Sequence, residues 1–165
     1  MSLIENKKTV LLLLVALVAT GAYLRLDKLG KASFWSDEMM VARVVSRPIN
    51  QLFAEIPPDK APLYFYVLYG VEKLGNSDTL LRLPAAIFGI VTLIIFSWFA
   101  RKLLSPIGAL LATVILIFSP FHIYYSKDNG PYSLFGLVTL INIGVFWKVA
   151  IEKSLLDWKG WLLLT

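Results

Sequence analysis

Asp37 and Glu38 stand side by side in "FWSDEMMVARVV", residues 34–45, in a chain that is otherwise largely hydrocarbon. A carboxylate held at a membrane surface can take a proton from a reacting group or hold a cation. It can equally sit in the first turn of a helix capped by Ser36, where negative charge suits the dipole. Neighbouring side chains on a helix diverge by about 100°, so one of the pair can face a site while the other braces the fold. Asp128, in "YYSKDNGPYSL", is a second loop carboxylate able to converge on the same place, although Asp-Asn-Gly-Pro is also plain turn chemistry. Arg43 and Arg47, one turn apart after Glu38, suit a phosphate or form a solvated face. Arg82 opens an apolar run and either snorkels or pairs with an acid. Tyr64, Phe65 and Tyr69, in "APLYFYVLYG", suit the wall of an apolar groove for a lipid chain or an interfacial aromatic belt. His122, the single histidine, reads as a hydrogen-bonded interface residue, because a zinc site needs several such ligands. Without cysteine there is neither a disulfide framework nor a thiol nucleophile.

These residues need elements to position them, and the composition says which. The 165 residues are 58% hydrophobic and only 16% charged, with a mean hydropathy of +0.71. Residues 9–24, 83–100, 103–126 and 129–147 contain no Lys, Arg, Asp or Glu. A bilayer core takes ~20 apolar residues per helix. The last three stretches are long enough, and the first becomes so if Lys8 and Arg25 snorkel to the interfaces. The expected fold is all-α, a polytopic membrane helical bundle with spans at about 9–26, 81–100, 107–124 and 132–149. A fifth span begins at 161. "VATGA" also resembles a signal-peptide cleavage site, but the further spans favour an uncleaved anchor. Lys7, Lys8, Arg101, Lys102, Lys148, Lys153 and Lys159 fall on one side of these spans, which puts the amino terminus in the cytoplasm of a multi-pass cell-membrane protein. The formal charge of +5 then reports orientation. No basic run with interleaved aromatics points to nucleic acid.

The segment 27–80 is then an external loop, and its pattern predicts amphipathic interfacial helices. One follows Ser36. A second follows Pro48, with Ile49, Leu52, Phe53 and Ile56 on one stripe. A short aromatic helix ends at Gly75 and lies along the interface.

Read in order, "FWSDE", "APLYFYVLYGVEKLGNSDTLLRLPAAIFGIVTLIIF" and "SPFHIYYSKDNGPYSL" resemble the amino-terminal part of the GT-C membrane glycosyltransferases. The similarity is to glycosyltransferase family 39, the dolichyl-phosphate-mannose protein mannosyltransferase-like and aminoarabinose-transferase-like branch. It spans residues 9–149 and makes 1–165 the front portion of such a domain. The resemblance implies an inverting transferase that takes sugar from a polyprenyl-phosphate donor, with membrane lipid as its other partner and an unidentified acceptor. It puts the essential carboxylate at Asp37, with Glu38 beside it and Asp128 in the second loop. The family's "PPLYY"-like motif falls on 61–66 and its "RLPSAL"-like motif on 82–86. Where the family commonly reads "YSQEARPYSL", this chain has Gly130 in place of the arginine. Phosphate binding then passes to Arg43, Arg47, Arg82 or Lys127, or to a divalent cation. Two other classes compete. One is a non-catalytic membrane module that binds polyprenyl lipid or a partner subunit. The other is a transporter, disfavoured because the apolar stretches hold no charge.

Overall fold

The structure, a computed structural model, describes residues 6–149. The fifth span expected at 161 and the charges at 152–159 lie outside them. The described residues form eight helices and no strand, and the all-α expectation holds.

Helix α1 (Lys7–Leu26) begins where the Asn6 side chain accepts from the Lys8 backbone N–H at 3.0 Å. It packs on α5 (Asp78–Leu103) and α6 (Pro106–Ile117). The approach is close at Gly21, where a Cβ would lie 2.5 Å from Leu93 Cδ1. α1 and α5 are each long and apolar enough to cross a membrane. Leu12, Ile94, Ile115 and Phe135 point outward from α1, α5, α6 and α8 (Tyr132–Trp147). Such faces suit a lipid surrounding.

The third expected span is interrupted. Helix α6 stops at Ile117, and the chain re-enters a helix at α7 (Pro120–Tyr125). The break is held by Arg25, which does not snorkel. It is fully buried, and its guanidinium donates to the carbonyls of Gly21 (2.9 Å), Leu116 and Ile117 (both 3.4 Å) and to Nδ1 of His122 (2.8 Å). The last carbonyls of a helix have no partner of their own, and here a cation from α1 supplies it. Ser119 then caps α7 by accepting from the His122 N–H at 3.3 Å, with Pro120 as the first helical residue. Helix α6, at about 18 Å, is shorter than a bilayer core, and α8 is about 24 Å long.

The segment 27–80 folds into more than interfacial helices. α2 (Ser36–Val45), α3 (Ile49–Glu55) and α4 (Pro62–Glu72) close with the start of α5 around Val41, Val45, Leu52, Phe65, Leu68 and Leu81. Of the stripe expected on α3, Leu52 is fully buried and Ile56 packs against the cluster, whereas Ile49 and Phe53 are exposed. Ser36 is the first helical residue of α2, and Trp35 holds the cap position.

Candidate active site

Glu38 is the centre of the site, and its carboxylate is fully engaged by the protein around it. It is 2% exposed. Oε1 accepts from Arg82 Nε at 2.7 Å and from the Asn129 backbone N–H at 2.8 Å, while Oε2 accepts from Arg82 Nη2 and the Trp35 N–H. Arg82 comes from the second turn of α5 and spends its remaining donors on the carbonyls of Leu29, Ala32 and Ser33. Guanidinium has five N–H groups, and all five are taken. The Phe34 ring covers its face at 4.8 Å. Arg82, expected to bind a donor phosphate, has all its N–H groups engaged within the protein and also lines the largest cleft beside Glu38 and Asp128. Glu38 likewise braces the fold, tying α2, α5 and the second loop into one joint.

Asp37, next on the same turn, points elsewhere. It is exposed, and its one hydrogen bond among the described residues is long, 3.5 Å from Ser36 Oγ. With Lys60, Asp128, Asn129 and Tyr132 it lines a small cavity of about 20 Å³. The two acidic motifs therefore do meet. Asp128 is 5% exposed and accepts from Trp35 Nε1 at 3.0 Å, so the indole latches the first loop to the second. No group of three His, Cys, Asp or Glu arranged to hold a metal occurs among the described residues.

Burial lifts the Asp128 carboxyl above its ordinary 3.8; Glu38 and Asp37 add to the rise, against the Trp35 hydrogen bond and Arg82. A carboxyl raised by folding binds its proton more tightly folded than unfolded. Its contribution to stability is full below pH 3.8 and is lost as pH rises through the raised value. Thermal unfolding in detergent is expected to show a midpoint that falls over that range. Asp128→Asn, which keeps an acceptor for Trp35, should flatten the slope; equal slopes in both proteins would contradict the assignment.

Of the other expected site residues, Lys127 and Phe65 each line a cavity at the site, and the rest lie apart. Arg43 and Arg47 are not among the residues lining the cavities near Asp37. Lys127 donates to the Asp27 carbonyl at 2.7 Å and lines a cleft of about 740 Å³ with Lys28, Trp35, Arg82 and Tyr124; Glu38 and Asp128 line both this cleft and the small cavity at Asp37. Tyr64 and Phe65 are fully buried in the core of 27–80, and Tyr69 packs against it under Lys73. They are not an open groove wall, because their face of α4 is the one that packs against α2 and α5. An apolar groove of about 610 Å³ does exist, between α5, α7 and α8, lined by Phe96, Phe121, Tyr125, Tyr132 and Phe135.

Gly130 is buried, and a Cβ there would lie 2.6 Å from Asp128 Oδ2 and 2.9 Å from the Tyr132 ring. The position has no room for an arginine. Gly130→Arg is therefore expected to cost about 1–3 kcal/mol through overpacking and not to tighten donor binding. Thermal unfolding and a donor titration check both.

Lys60, Trp35, Lys28 and Asn129 join the site without having been expected there. "DKAP" before an aromatic helix offers a signal for Lys60, a cation held near the first-loop acids. Nothing local marks the other three.

A family model described as dolichyl-phosphate-mannose-protein mannosyltransferase matches residues 59–165. The chain belongs to this family. In general terms it is a membrane glycosyltransferase of the mannosyltransferase-like, GT-C kind. No curated protein and no solved structure matches it. The matched residues of this mannosyltransferase-family chain include Lys60, Arg82, Asp128 and Asn129 and leave out Asp37 and Glu38. The Glu38–Arg82 pair, the Glu38–Asn129 bond and the Trp35–Asp128 bond fasten the unmatched front to the matched part.

Proposed function

We propose that this chain carries the base-bearing front of an inverting glycosyltransferase that draws sugar from a polyprenyl-phosphate donor and acts at the external face of a cell membrane. The observation that carries the reading is the placement of Asp37: exposed, on a helix locked to the family-matched region by its buried neighbour Glu38, and beside Lys60. In the reaction an acceptor oxygen forms its bond to the anomeric carbon as the bond from that carbon to the phosphate oxygen breaks. The acceptor proton passes to Asp37, and the lipid phosphate leaves with the electron pair. Lys60 is the cation that shares a cavity with Asp37, and it takes the role expected of the arginines. The lipid chain lies in the apolar groove between α5, α7 and α8, against Phe96, Phe121 and Phe135.

The test is reconstitution of the purified protein in liposomes with radiolabelled dolichyl-phosphate mannose and a membrane extract as acceptor source. Label transferred to the extract supports the reading; a protein that neither binds the donor nor transfers from it would end it. One observation favours a second reading, a lipid-binding module without catalysis. The 740 Å³ cleft, with Lys28 and Lys127, is far larger than the cavity at Asp37 and does not include it. Donor binding without transfer would support that reading.

A further inference from the structure

A further cavity lies at the far end of the bundle, away from the site. Helix α5 carries Arg82 near its start and Lys102 near its end, ~30 Å further along at 1.5 Å per residue and about the thickness of a bilayer core. Helix α8 runs beside it from Tyr132, in the wall of the Asp37 cavity, to Trp147, with Lys148 at its cap. Gly144 lets the two helices close on each other, since a Cβ there would collide with the Phe99 ring. Where they end together, Trp98, Lys102 and Leu103 of α5 and Trp147 and Lys148 from the end of α8 border a cavity of about 90 Å³.

Two ammonium groups thus share one small cavity, and no acid among the described residues lines it. Both lysines are exposed, so both can reach a ligand. Lys102 Nζ lies 4.1 Å over the Trp98 ring, and neither lysine has a carboxylate partner among the described residues. Like charges brought together repel, and an anion between them relieves the repulsion. About 90 Å³ holds a few water-sized groups, which suits a phosphate but not a whole small molecule, for which pockets run to ~300–1,000 Å³. The rest of the ligand must lie outside, and the surface there is apolar. Trp98 and Leu103 are exposed, as are Phe146 and Ile94, one turn before Trp98 on the same face. Tryptophan belongs at headgroup depth, and basic pockets between membrane helices suit anionic headgroups. A zwitterionic headgroup would bring a cation of its own to two lysines with no acid to receive it. From this geometry we infer that the cavity binds the phosphate of an anionic phospholipid, held by Lys102 and Lys148 between Trp98 and Trp147, in the leaflet opposite the Asp37 cavity. The lipid ties the ends of α5 and α8 together. The inference does not depend on the sugar-transfer reading.

The experiment gives the full chain, purified in detergent, an equimolar mixture of phosphatidylglycerol and phosphatidylcholine with the same acyl chains. Mass spectrometry of the intact complex reads which lipid is retained. Wild type is expected to prefer phosphatidylglycerol by about 30-fold, from two lysines each worth about fivefold, and to melt higher with it than with phosphatidylcholine. Lys102→Gln and Lys148→Gln change exposed side chains and should keep the fold, and each should lose about fivefold of the preference. Arg101→Gln removes the same charge from the same helix end but outside the cavity, and should leave the preference nearly intact. No preference in wild type, or an equal loss in Arg101→Gln, would reduce the attraction to the diffuse field of a basic helix end and overturn the inference. Inorganic phosphate, added at matched ionic strength, should leave the lipid bound. Release of the lipid by it would make the site one for a free anion and would also overturn the inference.

Discussion

Asp37→Asn is expected to lower sugar transfer by about 10²–10⁴-fold, the range that general-base catalysis supplies, and to leave the fold intact. The side chain is exposed and its one hydrogen bond is long, so stability should move by no more than a surface substitution allows, about 0.5 kcal/mol. Asn keeps the size and polarity of Asp and removes only the ability to take a proton. Donor binding should therefore persist while turnover collapses. The measurement is a matched pair: transfer rate in liposomes and unfolding in detergent. A variant that transfers at the wild-type rate would show that the proton goes elsewhere, with Asp128 the next carboxylate in the cavity.

Glu38 and Arg82 should behave in the opposite way. Removing either one leaves the other buried and uncompensated, which typically costs about 3–5 kcal/mol. Glu38→Ala also strips the Asn129 N–H and the Trp35 N–H of their acceptor. Arg82→Lys is not conservative, because an ammonium has three donors and cannot reach a carboxylate and three carbonyls together. These variants should lose stability and activity in step, with faster proteolysis across 27–80. The double variant Glu38→Leu/Arg82→Met should be less destabilised than the sum of the two singles, since the pair is coupled. Additive losses, or single variants that melt like wild type, would show that the pair does not hold the loops together.

The two behaviours separate roles that one dipeptide conceals. In the sequence Asp37 and Glu38 are equivalent carboxylates, and the angular divergence on a helix says only that one can face in while the other faces out. Which is which depends on where α5 places Arg82, 44 positions along the chain from Glu38. Arg82 itself, as a sequence position, is open to pairing with an acid or binding a phosphate, and only the fold shows the pairing with Glu38 that takes up its donors. The aromatic stretch is a similar case. Its helix is legible, but whether Tyr64 and Phe65 face lipid or a core depends on α2 and α5 packing against them. The break in the third span does have a local signal. "SP" occurs at 105–106 and at 119–120, and both are N-cap and first-residue pairs of helices, α6 and α7. The first falls between apolar runs and reads as a boundary, whereas the second lies within a run and hydropathy alone passes over it.

Hydropathy and charge spacing need no fold to be read: helices, apolar outer faces, and acids gathered in loops follow from local solvation and from the 3.6-residue period. Family likeness is legible for the same reason, because short motifs in a set order survive as text. The site is not local. Its cavity is closed by residues from 37, 60 and 128–132, and its rigidity comes from bonds that join 35 to 128, 38 to 82 and 38 to 129. Such contacts depend on the whole packing of α2, α4 and α5, and no single stretch of chain contains the information that sets them. The unpaired amide of Asn129 is the clearest instance: in the sequence it is one polar residue in a turn, and its want of a partner exists only once everything around it is in place.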